Sequence, residues 1–273
     1  MLTTYPDLRD ALAPQARKNP LMLLLRLLLA YLSLAALGVA SESTQFSSIG
    51  RAQGSPTQPL PQPLLPDLQV LEPSGLYIAP ATDEDERRLK FATVLWNAGP
   101  GFLEVHGSED PNSSELSVTQ VLYGPGGLPI PGGAVGVFDF QHRHGHLHLA
   151  DFASYELWAA AEDGGLLELI AMNDKVGFCL MDNVLIDPAL TVGDGEPKYP
   201  IDCNGDVQGI SPGYGDIYVA QLFEQDLVIT GVPDGRYALI NTVNPRGVIV
   251  EATTDNNSAI VYFELEGDTV RTD

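Results

Sequence analysis

Apolar residues fall in one long block and then in many short ones. Residues 21–40 (LMLLLRLLLAYLSLAALGVA) are apolar apart from Arg26 and a few small polar positions, with Arg17 and Lys18 just before them and Gly38-Val39-Ala40 at their end. Small residues there suit a signal peptidase, so residues 1–40 read as a secretory signal cut near Ala40. A run of about twenty residues also suits an uncleaved membrane anchor. Either reading puts the rest of the chain outside the cytoplasm, secreted or membrane-anchored. Residues 41–64 are rich in Ser, Gln and Pro, which predicts an extended, flexible linker.

From residue 65 to 266 the pattern changes to short apolar segments between turn signals. Arg88–Asn97 (RLKFATVLWN) alternates and reads as a strand. Val137–Leu149 also alternates, and Tyr155–Ala161 and Leu166–Met172 are further strand candidates. Gly124–Gly133 (GPGGLPIPGG) reads as loop. Later candidates are Ile217–Leu222, Asp226–Thr230, Tyr237–Val243, Val248–Ala252 and Ser258–Glu264. Tight turns at Pro233-Asp234-Gly235 and Asn244-Pro245-Arg246-Gly247 separate three of these. No long helical periodicity follows residue 45. The fold class expected is all-β, an antiparallel sandwich with long irregular loops, of roughly 200 residues, ending in a short tail at 267–273. Asp182–Pro212 is a loop that must be ordered by something other than a ladder.

Composition narrows the function classes. The 273 residues carry 14 Lys and Arg against 36 Asp and Glu, a formal charge of −22. Such a surface excludes a nucleic-acid partner bound by phosphate neutralisation. It also excludes a hold on anionic lipid by charge, so a membrane is a partner only if the N-terminal segment stays uncleaved. A hydrophobic content of 44% marks a chain that folds. Only Cys179 and Cys203 are present, too few for an all-cysteine zinc site. In an exported chain they should pair. The closed loop would contribute on the order of 3–4 kcal/mol by chain entropy. Sequons occur at Asn112 and Asn256.

Histidine is the unusual count. Of five in the chain, four fall within seven residues: His142, His144, His146 and His148. On a strand they project from one face. A metal resolves the packing of imidazoles that repel when protonated and pair poorly when neutral. On a straight strand the outer members of three would lie about 13 Å apart at Cα, so one ion requires a bulge or strong curvature. Gly145 could provide it. Three neutral nitrogens without a thiolate suit Cu(II), Zn(II), Ni(II) or Fe(II), with copper bound most tightly. A cupin-like metal site would need a further ligand on a later strand, and the remaining histidine, His106, lies upstream. His106 reads as a satisfied surface residue.

An ordered series of fragments resembles the lysyl oxidase family. It runs from Leu65-Pro66-Asp67-Leu68 through Phe91–Asn97 and Gly99-Pro100-Gly101 to His144-x-His146-x-His148, Phe152 and Tyr155. It continues with Lys175-Val176-Gly177-Phe178-Cys179-Leu180-x-Asp182, then Gln208–Gly213 and Asp216-Ile217-Tyr218. Its last members are Pro233-x-Gly235-x-Tyr237, Asn244-Pro245 and Glu251 through Asn257. The resemblance implies a catalytic domain over 65–266 with Cu(II) on His144, His146 and His148. It implies that Lys175 and Tyr218 are the precursors of a lysine tyrosylquinone cofactor, and that Cys179–Cys203 is a family disulfide. Three departures stand out. The other disulfides of the animal enzymes are absent. Phe223-Glu224-Gln225-Asp226 replaces their Cys-Gln-Trp run. His142 does not fall on their outermost histidine, which leaves its place in the metal shell open.

The chemistry implied is oxidative deamination of primary amines, either small amines or the lysines of lysine-rich protein. Molecular oxygen is consumed, and aldehyde, ammonia and hydrogen peroxide are released. Amine oxidation needs an electrophilic carbonyl, and a quinone supplies one. A base must then remove the substrate α-proton. Asp216, two residues before Tyr218 on the same face of a strand, is the candidate base, or else a carboxylate that orients a histidine. The alternative to an oxidase is an extracellular copper-binding or structural module without turnover.

Overall fold

The computed structural model describes residues 62–79, 86–109, 115–199, 203 and 205–273, and the backbone but not the side chain of Lys175. The leader, the linker up to residue 61 and the Asn112 sequon lie outside the described residues. Among the described residues no helix is long and apolar enough to cross a membrane.

The structure is all-β. The first eight strands are β1 (Leu68–Val70), β2 (Ser74–Ala79), β3 (Arg88–Asn97), β4 (Leu103–Glu109), β5 (Leu116–Tyr123), β6 (Pro129–Gln141), β7 (His146–Ala160) and β8 (Leu166–Phe178). Then come β9 (Val184–Leu185), β10 (Val207–Ile210), β11 (Tyr214–Tyr218), β12 (Asp226–Val228), β13 (Gly235–Val243), β14 (Ser258–Glu266) and β15 (Thr269–Thr272). One sheet has the order β1-β3-β11-β9, with β2 and β12 also on β3. The other runs β10-β4-β5-β6-β7-β13-β14-β15, with β8 on the remaining edge of β7. Pairing is antiparallel throughout, which gives the expected sandwich. Its core is filled from both sheets, with Phe91, Leu95 and Tyr218 from one and Phe138, Leu149, Tyr155, Phe178 and Phe263 from the other. Strict alternation puts every second residue of β3 in that core.

Several sequence expectations need correction. Val137–Leu149 is not one strand. Residues 142–145 turn the chain back between β6 and β7, with the N–H groups of His144 and Gly145 both donating to the Gln141 carbonyl (3.0 and 2.7 Å). Gly145 lies at φ +78°, where a Cβ is disfavoured, so the glycine permits a turn that periodicity alone cannot reveal. Pro129–Gly133, within the segment read as loop, begins β6. Beyond Tyr218 the chain turns instead of continuing as strand.

Val248–Ala252 is not a strand either, because side chains take the place of a ladder. The Gln120 amide bonds both backbone groups of Val250 (2.8 and 2.9 Å), and Asn244 Oδ1 accepts from Ile249 N–H (3.1 Å). The tail contributes β15, paired with β14.

The Asp182–Pro212 loop is organised by one buried carboxylate. Asp182 Oδ2 accepts from the N–H groups of Lys198 (2.9 Å) and Tyr199 (3.0 Å) and from Ser211 Oγ (2.6 Å). Its Oδ1 accepts from Ser211 N–H (2.7 Å). A second buried carboxylate, Glu104, accepts from Lys198 Nζ (2.6 Å) and from the hydroxyls of Tyr123 and Tyr199 (both 2.5 Å). It also pairs with His106 (2.8 Å), so that histidine is a satisfied residue outside the cluster.

Asn97 closes the start of the domain. Its Nδ2 donates to the carbonyls of Gly101 (2.7 Å) and Ile210 (3.1 Å), while its Oδ1 accepts from Asp67 N–H (3.1 Å) and Gly99 N–H (3.0 Å). All of its hydrogen-bonding capacity is thus spent on buried backbone. Asn97→Asp would aim a charge at two carbonyl oxygens and should cost about 3 kcal/mol or more. Urea denaturation of the variant measures this; an unchanged midpoint would contradict the role given to Asn97.

Candidate metal centre

The β6–β7 turn and the start of β7 bring three imidazoles together. His146 and His148 alternate onto one face of β7, and His144 reaches them from the turn. One ring nitrogen from each lies within 4.8 Å of the others. The Nε2 atoms of His146 and His148 are 2.9 Å apart. The hairpin therefore supplies the curvature that a straight strand lacks. His142 is not in this cluster; its ring packs edge-on against Phe140 (5.2 Å between centroids).

The surroundings favour neutral rings on β7. Burial, and then the neighbouring charges of His144 and His146, pushes His148 down to about 3, against an opposing backbone hydrogen bond with Gly177. Burial, followed by His144, lowers His146 as well. Neutral imidazole is the form that ligates a metal. Gly177 stands against the Nδ1 side of His148, where an added Cβ would lie 3.5 Å from that nitrogen. The close approach of β8 thus turns the other ring nitrogen toward the cluster.

Two contacts hold the free edge of β7. Leu147, between the two histidines, donates its N–H to the Cys203 carbonyl (3.0 Å). Its carbonyl accepts from Gln208 Nε2 (3.1 Å). Cys203 is disulfide-bonded to Cys179 at the end of β8, with 5.7 Å between Cα atoms.

Tyr218 comes from the opposite sheet. Its ring centroid lies 6.3 Å from that of His148 and 4.1 Å from that of Phe178, and Cys179 N–H donates to its hydroxyl (2.8 Å). Burial, with Asp216 next, raises its pKa well above the ordinary phenol value. A cavity of about 70 Å³ is lined by His144, His148, Tyr218 and Gln225 among others. Asn173, Val176 and Gly177 line it too, so the β8 backbone on both sides of Lys175 borders the same space.

Asp216 is fully buried on β11. Its Oδ1 accepts from Asn183 Nδ2 (2.6 Å), and its Oδ2 has no hydrogen-bond partner. Its partner is this amide and not a histidine. Asn183 Oδ1 in turn accepts from Ile217 N–H (2.8 Å), which ties the carboxylate to its own strand. Desolvation raises the Asp216 pKa well above the usual carboxylate value, with Asn183 opposing and Asp182 adding to the rise.

Tyr155, also fully buried, donates to Gln225 Oε1 (3.0 Å) and meets Thr93 Oγ1 (3.3 Å), and burial pushes it up to about 12. No sequence pattern marks Asn183 or Gln225, because each acts from a loop through one side-chain amide.

The raised Asp216 pKa has a stability consequence. The folded state holds that proton more tightly than the unfolded chain, so stability falls as pH rises from the unfolded carboxylate value toward the folded one. Asp216→Asn should therefore raise the melting temperature of the metal-free protein at neutral pH. The gain should vanish near pH 3, where both states are protonated. Thermal melts at the two pH values test the sign, and a loss of stability at neutral pH would refute it.

A family model described as Lysyl oxidase matches residues 130–273, a little over half of the chain. That span contains the three histidines, both cysteines, Lys175, Asp216 and Tyr218 but leaves the Leu65–Gly101 fragments outside it. "Lysyl oxidase homolog 1" of Homo sapiens is 33% identical over 121 residues, covering 44% of this chain and 19% of that relative. "Protein-lysine 6-oxidase" of Homo sapiens is also 33% identical over 121 residues, with 44% and 26% covered. For the Sus scrofa protein of that name the figures are 33% over 121 residues, with 44% of each chain covered. The match thus spans less than half the length of each of these relatives. On the family match, this chain belongs to the lysyl oxidase family.

Proposed function

We propose that the chain is an extracytoplasmic copper- and quinone-dependent oxidase of primary amines. The observation that carries this reading is the convergence of three histidine nitrogens within 4.8 Å of one another, with two of the rings, His144 and His148, lining one cavity with Tyr218. The donor set fits the metal: His144, His146 and His148 would hold Cu(II), which leads the divalent series on nitrogen ligands. The Cys179–Cys203 bond fits an oxidising compartment. Bound copper, with oxygen, would supply the oxidising chemistry, and a lysine tyrosylquinone built from Lys175 and Tyr218 would supply the electrophilic carbonyl for amine oxidation.

The chain's own residues have separate tasks in this reading. Phe178 and the Cys179 N–H fix the Tyr218 ring against the histidine strand. Tyr155, Thr93 and Gln225 form a closed hydrogen-bonded group behind the cavity and keep its wall rigid. Asp216 is the proposed base. Its unpartnered Oδ2 is an acceptor for the α-proton, and a raised carboxyl pKa brings its basicity closer to the working pH. Asn183 keeps the other oxygen in place while the proton moves. The substrate is a primary amine, either small or peptidyl lysine, drawn by the acidic surface.

Peptide mapping after aerobic copper loading tests the proposal. The Lys175 and Tyr218 peptides should be recovered joined, with a visible quinone absorption band. Lys175→Arg and Tyr218→Phe should abolish the band while retaining copper. Replacing any of His144, His146 or His148 by Ala should weaken copper binding by more than the about 10–100-fold cost of losing an outer-sphere partner. Unjoined peptides with copper bound would remove the quinone and favour a copper-binding module without turnover.

A further inference from the structure

A second cavity adjoins the first. It measures about 260 Å³ and lies between β8 and β12, with Ala171, Met172, Leu227 and Val228 in its walls. Asn173 and Glu224 line both cavities. We propose that the two form one substrate groove in which Glu224 selects primary amines carrying a second positive charge. The apolar part of such a substrate lies along β8 and β12, and its second cation sits against Glu224. The identification of the occupant as a primary amine rests on the amine-oxidase reading.

Two observations support the assignment. The first is charge. Arg88 also lines the second cavity, but it is paired with Asp226 (2.7 Å) and with Glu86, and Lys90 is paired with Asp226 (2.7 Å). Two cations and two carboxylates cancel there. Among the described residues Glu224 has no ion-pair partner, so no neighbouring cation cancels its charge there.

The second is backbone geometry. Glu224 lies at φ +60°, a left-handed conformation costing roughly 1 kcal/mol for a residue with a Cβ. Both neighbours hold it there. Phe223 lies under the Arg143 guanidinium (4.6 Å to the ring centroid), and Gln225 is bound to Tyr155 and Thr93.

The test measures binding to the full-length, copper-loaded protein by anaerobic calorimetry at low salt. The probes are 1,5-diaminopentane against 1-aminopentane, and a lysine peptide with an adjacent arginine against the same peptide with alanine. In the wild type the dicationic member of at least one pair should bind about fivefold tighter, the worth of a favourable, partly exposed ion pair. High salt should shrink that ratio. In Glu224→Gln it should fall to about one, and in Glu224→Asp part of it should return. Which pair shows the preference distinguishes a free diamine from peptidyl lysine.

No preference in either pair, or a ratio unchanged in Glu224→Gln, would overturn the proposal. Hydrogen peroxide release from the same amines scores the oxidase reading separately. Preference without turnover removes that reading and leaves the groove; turnover without preference does the reverse.

Discussion

The peptide of Leu147 is the point on which the site depends. It lies between His146 and His148, beyond the reach of β8, whose pairing with β7 ends at Leu149 and Phe178. Its N–H and carbonyl would otherwise need water at the edge of the cluster. The Cys203 carbonyl and the Gln208 amide take them instead. Both come from the stretch ordered by Asp182, and Gln208 also accepts from Leu180 N–H (3.0 Å). The disulfide then returns from Cys203 to Cys179, whose N–H holds the Tyr218 hydroxyl. A short circuit of backbone bonds thus connects the histidine strand with the tyrosine of the opposite sheet. Ligand geometry here comes from loop order, and the loop is ordered by one carboxylate.

The same region concentrates buried polar groups. Asp216, Tyr155, Tyr218, Thr93 and Gln225 all lie below a tenth exposed between the sheets. In a low-dielectric interior each satisfied hydrogen bond is strengthened and each unsatisfied atom is costly. Most are satisfied, and the exception is the free oxygen of Asp216. A fold selected for stability alone would fill that position with an apolar side chain or a second donor. The orphaned acceptor lies on β11, two residues before Tyr218.

Much of the architecture was legible in the residues. The alternation of Arg88–Asn97 identified β3 to its ends, and the turns at Pro233 and Asn244 delimited the C-terminal strands. The histidine spacing identified the cluster. It suggested the wrong local structure, because a four-residue turn with His at two positions preserves the same alternation as a strand. The gain and loss of strands followed a common physical cause. Val248–Ala252 has strand-like residues but receives its hydrogen bonds from Gln120 and Asn244 side chains. Leu103–Glu109 and Leu116–Tyr123 carry mixed patterns and become strands because their neighbours in the sheet accept them. Tertiary pairing decided these segments, and local pattern cannot encode it.

The treatment of lysine has a consequence of another kind. An amine oxidase of the kind proposed would work amid its aldehyde product, and aldehydes condense with free amines. The chain holds only four lysines: Lys18, Lys90, Lys175 and Lys198. Lys90 is held by Asp226 and by the Leu222 carbonyl (2.8 Å). Lys198 lies on Glu104 with the rings of Phe102, Tyr123 and Tyr199 about it, at 4.6, 4.9 and 5.1 Å. Arginine supplies most of the positive charge, and its guanidinium stays protonated and forms no imine. A surface built this way offers an aldehyde few places to attach.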